Sequence, residues 1–204
     1  MTNRNALLWL PLLLTAHATA QVRLGIEAGA DFPGGSGYSR DVLYYFGGTM
    51  RVQTSGSGGP LFGIFASAPL NKQVYLRPLA DLAFRGFKQT STPPAGSTGS
   101  AYSYTDDARY LDFALPVAYR FSTKATGFYA GAGPAISVLL SKQYGPTPVK
   151  SATAGLTGWL GYVFPLDFSL NAGYHLGLTN SLSNATDGSS YKDGFFNITL
   201  GYLF

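Results

Sequence analysis

The last ten residues of the chain, 195–204 (FFNITLGYLF), constrain its fold more than any other stretch. Apolar residues alternate there with polar or small ones, and the apolar positions are Phe196, Ile198, Leu200, Tyr202 and Phe204. A period of two is that of a β-strand with one apolar face and one polar face. Left unpaired, a strand this apolar would be an edge open to aggregation, whereas a closed barrel pairs its last strand with its first. The segment therefore predicts the closing strand of a β-barrel.

The same alternation recurs along the chain and predicts about eight strands. The clearest further case is the first, where Val22, Leu24 and Ile26 alternate with polar or small residues. The predicted strands are 21–31, 61–68, 73–88, 108–121, 127–142, 152–164, 167–179 and 195–204. This series predicts an all-β fold, a single closed antiparallel transmembrane β-barrel.

The connections between these strands alternate between short and long. Short turns lie near residues 70, 124 and 165, and long loops lie near residues 45, 98, 147 and 185. Outer-membrane barrels have this asymmetry, with tight turns on the periplasmic side and long loops outside. An even strand count then places both termini in the periplasm. Residues 44–53 predict one further strand, which we assign either to an arm outside the membrane or to an inward-folded plug.

Alternation alone does not separate a membrane barrel from a soluble sandwich, since each has one apolar and one polar face. Here the polar face is mainly Gly, Ala and Ser, as expected inside a narrow barrel. Aromatic residues also gather near the strand ends, as at bilayer interfaces. The predicted periplasmic belt is Tyr119, Phe121, Phe128, Phe164, Phe168, Tyr202 and Phe204, and the predicted extracellular belt is Phe84, Phe87, Tyr110, Tyr191 and Phe195. Outer-membrane lipid is therefore the predicted partner of the apolar face.

The N-terminus predicts export. Arg4, a short apolar run at 6–16 and the triplet Ala18-Thr19-Ala20 form the pattern of a secretory signal peptide, so we predict a leader at 1–20 and a barrel domain at 21–204. No cysteine is present, which excludes a lipoprotein anchor and disulfides. The net charge of +4 comes from scattered basic residues, and only 12% of residues are charged. The basic cluster of a nucleic-acid binder is missing, so we predict no nucleic-acid partner.

Four stretches carry a resemblance to a known family: YLDFALPVAYRF at 110–121, GFYAGAGPAISVLL at 127–140, FGIFASAPLNKQVYLRPLADLAFRG at 62–86 and LGYLF at 200–204. With them the chain resembles the small PorT-like outer-membrane β-barrels of the Bacteroidota. The resemblance implies that the bacterial barrel-insertion machinery reads the C-terminal strand, through the five apolar positions from Phe196 to Phe204. It implies no activity, since most members have none assigned. The chain departs from the family where Leu79 follows Pro78, a position more often held by glutamate.

Charged residues on the predicted inward rows are the candidate site. They are Glu27, Arg77, Asp81, Arg85, Asp112 and Arg120. Charges confined to a narrow lumen must pair or be hydrated, because burying a lone charge is costly. We expect a salt-bridged interior that plugs the barrel, and the alternative is a narrow diffusion pore biased toward cations or anions.

Catalysis and metal binding have little support in the sequence. His175 is the only histidine after residue 20, and no motif with a nucleophile or acid surrounds it. The adjacent carboxylates Asp106 and Asp107 lie in a predicted loop, where such pairs are usually solvated. We predict a protein without catalytic activity, cofactor or metal, and a lipid-modifying enzyme of the outer membrane is the less favoured alternative. The loops are the predicted surface for recognition of an envelope or surface protein.

Overall fold

The computed structural model describes residues 22–34, 38–43, 49–96, 98–143, 149–181, 192 and 194–204. Among them it contains twelve strands: β1 (Arg23–Pro33), β2 (Tyr38–Leu43), β3 (Thr49–Ser57), β4 (Gly59–Pro69), β5 (Val74–Leu76), β6 (Leu79–Thr92), β7 (Tyr102–Ala114), β8 (Val117–Arg120), β9 (Gly127–Gln143), β10 (Ala152–Val163), β11 (Phe168–Gly177) and β12 (Gly194–Leu203). A single turn of 3-10 helix, Pro165–Asp167, connects β10 to β11. No described segment is a helix long and apolar enough to cross a membrane. The predicted leader at 1–20 lies outside the described residues.

The strands close into a ring of eight. β1 pairs with β4, then β5 and β6 form the third wall strand and β7 and β8 the fourth, followed by β9, β10, β11 and β12. The ring closes because β12 pairs with β1, from Gly25 opposite Leu203 to Pro33 opposite Phe195. Every pairing is antiparallel, as meandering connections require. The predicted fold, a closed antiparallel barrel of eight wall strands, is confirmed.

Two prolines interrupt the third and fourth wall strands, which the sequence pattern predicts as continuous. Proline has no backbone N–H, so the ladder breaks between β5 and β6 at Pro78 and between β7 and β8 at Pro116. The carbonyl oxygens at the breaks stay paired: the Arg77 amide donates to the Pro116 carbonyl at 3.0 Å, and the Ala66 amide donates to the Pro78 carbonyl at 2.9 Å. The wall therefore remains closed across both interruptions.

A hairpin extends the sheet beyond the ring at the end with the long loops. β2 pairs with β3, and β3 pairs with the upper half of β6, from Ser57 opposite Gly86 to Arg51 opposite Thr92. This position corresponds to the predicted arm at 44–53, although β3 begins later, at Thr49, and residues 44–48 lie outside the described part. β6 and β7 also continue further than predicted, so the second long loop is 93–101 and not 89–107.

The surface of the barrel is apolar and its interior is polar. Ile198 and Leu170 on the outer face are 43% and 45% exposed, whereas Arg77 and Glu27 inside are 3% and 7% exposed. Leu111, on the same outward row, is partly buried. An exposed apolar band of this extent marks a surface that another apolar phase covers. In a closed barrel that phase is the lipid of the bilayer.

The periplasmic aromatic belt forms as predicted, and the extracellular belt differs from the prediction. In the lower belt, neighbouring rings meet edge to face, for example Phe128 with Tyr162 at 4.8 Å between centroids and Tyr202 with Phe204 at 5.2 Å. Three of the predicted extracellular positions are wrong. Phe87, Tyr110 and Phe195 are buried inside, because they occupy the inward-facing positions of β6, β7 and β12. Tyr191 lies outside the described residues. The outward aromatics at that end are Phe32, Phe62, Phe84, Tyr174 and Phe196.

Candidate functional site: the charged interior

The charged interior is built on one level of the barrel. The strand register places Glu27, Gly63, Asp81, Asp112 and Ser137 side by side on successive wall strands. Residues four apart on a strand share a face. The third wall strand therefore directs two arginines inward, one below and one above Asp81. These arginines, Arg77 and Arg85, organise two separate clusters.

The lower cluster is centred on Arg77. Its Nη2 donates to Glu27 Oε2 at 3.0 Å, and its Nη1 donates to the Tyr129 hydroxyl at 2.7 Å. The guanidinium carbon also lies 4.0 Å from the centroid of the Phe65 ring. Both partners of the ion pair are about 95% buried, with side-chain exposures of 4% and 5%. This is a fully desolvated ion pair, and Arg77 is held between Glu27 on β1 and Tyr129 on β9, which lie across the ring from each other.

A second path of hydrogen bonds joins the same two charges through neutral side chains. Tyr129 donates its hydroxyl proton to Asn171 Oδ1. The Asn171 amide donates to Thr199 Oγ1 at 3.0 Å, and that hydroxyl donates to Glu27 Oε2 at 3.5 Å. Every donor points away from Arg77 and toward Glu27, so the ring closes with consistent polarity. Five wall strands are tied together across the lumen by these contacts.

The upper cluster is centred on Arg85. Its two terminal nitrogens form a bidentate pair with Asp112, at 2.6 and 2.9 Å. Asp31 and Ser137 accept further hydrogen bonds at 3.2 and 3.0 Å. The guanidinium carbon also lies 4.3 Å from the centroid of the inward-facing Phe195 ring. Paired forks of this kind are among the strongest hydrogen-bonded ion pairs in proteins.

Asp81 stands between the two clusters. Its Oδ1 is buried and has no hydrogen-bond partner among the described residues. A Cβ at Gly63 on the neighbouring wall strand would lie 1.7 Å from Asp81 Oδ1, so the carboxylate occupies space that this glycine leaves open. The predicted site residue therefore lies in the network level without joining either ion pair. A small cavity of about 50 Å³ adjoins it, lined also by Glu27, Arg77 and Trp159.

Arg120 is placed apart from the other predicted site residues. It lies at the periplasmic end of β8, where its guanidinium carbon is 5.5 Å from the centroid of the Tyr75 ring. Within the described part of the chain it forms no salt bridge. The structure thus brings together Glu27 with Arg77 and Asp112 with Arg85, and it leaves Asp81 and Arg120 outside both pairs.

Sequence reasoning missed the neutral members of the network and one acid. Asp31 follows Glu27 by four residues on the same inward row, so the period-two pattern was sufficient to find it. Tyr129, Asn171 and Thr199 also occupy inward positions, but no charge distinguishes them from other lumen residues. The pairing of Asn171 opposite Thr199 depends on the strand register, which the sequence does not determine.

The periplasmic end carries a separate ion pair. Arg23 Nη2 lies 2.9 Å from Asp167 Oδ2. The same guanidinium donates to the carbonyl oxygen of Leu203 through Nη2 at 3.2 Å and to that of Phe204 through Nε at 3.0 Å. It therefore connects the β10–β11 turn to the seam between β1 and β12. The hydrogen bond from Arg23 holds the pKa of the Asp167 carboxyl below its usual range.

The candidate residues for catalysis and metal binding lie on separate strands or faces of the barrel: His175 is on β11, and Asp106 and Asp107 are on opposite faces of β7. His175 lies inside on β11, opposite Thr157 and Phe195, and its imidazole forms no hydrogen bond with a described residue. Asp106 lies in β7 rather than in a loop and is buried. Its Oδ2 lies 3.7 Å from Lys142 Nζ. Asp107 is exposed on the opposite face of that strand. No group of three potential metal ligands is found in the described part.

Comparison with known proteins identifies the fold. No family model and no curated protein matches the chain. Among solved structures, OprG from Pseudomonas aeruginosa matches with a TM-score of 0.56 at 14% identity, covering 91% of this chain and 97% of OprG. AlkL, solved in lipid bilayers, has a TM-score of 0.47 at 14% identity over 90% of each chain. Ail of Yersinia pestis has a TM-score of 0.39 at 13% identity, covering 90% and 97%.

At these identities the likeness to OprG shows the fold alone, which is that of a small outer-membrane β-barrel. The lipid-facing apolar band and the polar interior are the independent features expected of such a barrel. The predicted location in the outer membrane is thereby confirmed.

Proposed function

We propose that the protein is a non-catalytic outer-membrane barrel whose lumen is closed by its charged interior and whose extracellular end serves recognition. The observation that carries the closed lumen is the position of Arg77, which contributes to the walls of two separate small cavities. One is the cavity of about 50 Å³ beside Asp81, and the other, of about 60 Å³, lies toward the periplasm beside Tyr75 and Arg120. The Arg77–Glu27 pair and its hydrogen-bond ring form the partition between them.

The energetics support a partition that does not open readily. Removing one partner of a buried ion pair costs about 3–5 kcal/mol, because the other charge stays desolvated. Opening the lumen at this level requires breaking the Arg77–Glu27 pair together with its bonds to Tyr129 and Thr199. Thermal fluctuation seldom supplies that energy. The narrow diffusion pore is the alternative that this arrangement disfavours.

Planar-bilayer recording tests the closed lumen. We expect no stable discrete conductance steps for the wild-type barrel. The double substitution Arg77→Ala with Glu27→Ala removes both charges of the partition and is expected to produce such steps. Lys124→Ala, in the exposed turn at the periplasmic end, is the matched control and is expected to stay silent. Stable steps in the wild type would instead support the diffusion pore.

The extracellular extension is the proposed recognition surface. β2, β3 and the upper parts of β6 and β7 form a sheet beyond the ring, and loops carry recognition in many rigid scaffolds. An envelope or surface protein is the proposed partner. Pull-down from intact outer membranes with the full chain and with a variant lacking residues 34–58 tests this role. A partner retained equally by both chains would contradict it.

The sequence motifs and the C-terminal strand indicate the family and the route of membrane insertion that we propose. The motifs at 62–86, 110–121 and 127–140 support assignment to the PorT-like barrels of the Bacteroidota, with a cleaved leader at 1–20. β12 is the proposed signal for the insertion machinery, because Phe196, Ile198, Leu200, Tyr202 and Phe204 form its outward row. Replacing Phe204 with Ala is expected to reduce assembly in cells while leaving refolding into detergent unchanged. Equal assembly would contradict this role.

A further inference from the structure

The outer face of the extracellular extension changes sharply from apolar to basic. On β6 and β7 the outward row runs from Leu82 opposite Leu111, through Phe84 opposite Arg109, to Lys88 opposite Thr105. β3 adds Ser55 opposite Lys88 and Arg51 opposite Thr92. We call this surface the basic face and define it by Arg51, Lys88 and Arg109 with the hydroxyl and amide groups of Gln53, Ser55, Thr90 and Thr105.

The basic face is accessible from outside the barrel. Arg51, Lys88 and Arg109 are all exposed, while Val52, Phe87 and Ala108, which are their immediate neighbours in sequence, are buried. Asp107 is the only acid on the outward rows of these three strands in the described residues. On these three strands the face therefore combines three cations with one carboxylate, and hydroxyl groups lie between them; on the adjacent β2, Asp41 lies opposite Arg51 in the strand register.

The contact between Arg109 and the aromatic belt fixes the height of the basic face relative to the bilayer. The Arg109 guanidinium carbon lies 5.7 Å from the centroid of the Phe84 ring, and Phe84 packs edge to face on Phe62 at 6.5 Å. Belt aromatics lie at the level of the lipid headgroups, and basic side chains next to them reach the phosphate level. Lys88 lies four residues further along the wall, which is about 13 Å at the rise of a strand.

The basic face is confined to one side of the barrel. The outward rows of β1, β11 and β12 contain only apolar or small side chains above Arg23, among them Ile26, Tyr174 and Ile198. Lipid on that side meets a purely apolar wall. On the β3–β6–β7 side, an anionic headgroup meets guanidinium, ammonium and hydroxyl donors, which are the groups that bind phosphate.

We propose that the basic face binds the phosphate groups of lipopolysaccharide in the outer leaflet, with the acyl chains lying on the apolar wall below Phe84. Continuity between the basic face and the lipid-covered belt favours a lipid over a soluble polyanion. Arg109 and Lys88 lie about 13 Å apart along the wall, which fits a headgroup with more than one phosphate, and Arg51, opposite Thr92, lies about 13 Å further out. This inference rests on the membrane location and is independent of the closed lumen.

The test compares lipids that differ only in phosphate. The full-length barrel, purified in detergent, is titrated with bisphosphorylated lipid A and with dephosphorylated lipid A, and bound lipid is counted by native mass spectrometry. Each basic side chain near an anionic surface contributes roughly fivefold in affinity. We expect at least a tenfold preference for the phosphorylated lipid and its loss in the triple variant Arg51→Gln, Lys88→Gln, Arg109→Gln.

The controls separate this site from general attraction. Lys72→Gln with Lys124→Gln removes two exposed charges at the opposite end and is expected to keep the preference. Heat-modifiable mobility on gels verifies that each variant is folded. The inference is overturned by equal binding of the two lipids, by a preference that survives in the triple variant, or by an equal loss in the control. Displacement of lipid A by a soluble sulfated polysaccharide at equal charge would also overturn it, in favour of a polysaccharide site.

Discussion

Arg77 is the residue on which the stability of the barrel interior depends most directly. We predict that Arg77→Met lowers the free energy of unfolding by about 3–5 kcal/mol, because Glu27 would remain buried and unpaired. Adding Glu27→Gln should restore a large part of the loss, since both desolvated charges are then absent. Urea unfolding in phospholipid vesicles, followed by tryptophan fluorescence, measures both variants. Additive losses in the double variant would show that the two side chains are not coupled.

The Arg23–Asp167 pair predicts a pH dependence at the periplasmic seam. The pKa of Asp167 is lowered in the folded protein, chiefly by its hydrogen bond from Arg23. Its contribution to stability is therefore present above the ordinary carboxyl range and is lost as the pH falls through the folded value. The pair is exposed, so the effect is small. The temperature of the heat-modifiable gel shift should fall more between pH 7 and pH 3 in the wild type than in Asp167→Asn.

At the scale of single elements, glycines set how closely neighbouring wall strands approach. A Cβ at Gly133 on β9 would lie 2.4 Å from the Pro116 Cα and 2.5 Å from the Leu115 carbonyl oxygen, and these are backbone atoms that cannot rotate away. Gly133→Ala is therefore expected to destabilise the barrel by about 1–3 kcal/mol through overpacking. Gly158→Ala on β10 is the matched control, since its nearest atom would be 3.7 Å away. Urea midpoints that move equally in the two variants would show that the close approach of Gly133 to Pro116 does not limit the side chain at position 133.

The wall strands could be predicted from the sequence because one physical rule, an apolar outside and a polar inside, acts on every one of them. The boundaries of β9, β10 and β12 differ from the prediction by one residue. The bounds of β3 were harder to predict, because its outward residues Arg51, Gln53 and Ser55 face water and no apolar residue alternates with a polar one along that face. The breaks at Pro78 and Pro116 follow from the missing amide, a signal that the alternation of the flanking residues obscured.

The charged interior could be predicted from the sequence only in part, because the sequence indicates which side chains face inward but not how the strands are staggered. An unpaired charge on an inward row is costly, which predicts the participation of Glu27, Arg77, Arg85 and Asp112, although Asp81 and Arg120 on the same rows join neither ion pair. Which acid meets which arginine depends on the stagger between strands that are distant in sequence. Asp81 is closest to both arginines along the chain, yet Glu27 on β1, two wall strands away, and Asp112 on the neighbouring β7 accept the hydrogen bonds.

For the whole molecule, the decisive question is which phase covers the outer row of the barrel. Trp159 faces the lumen and is the only tryptophan after residue 20. In vesicles of brominated lipid, its fluorescence should be quenched only weakly. A tryptophan introduced as Ile198→Trp or Leu170→Trp, in a Trp159→Phe background, should be quenched strongly, because bromine on the acyl chains would contact it. Strong quenching of Trp159 together with weak quenching at positions 198 and 170 would contradict the lipid-facing barrel.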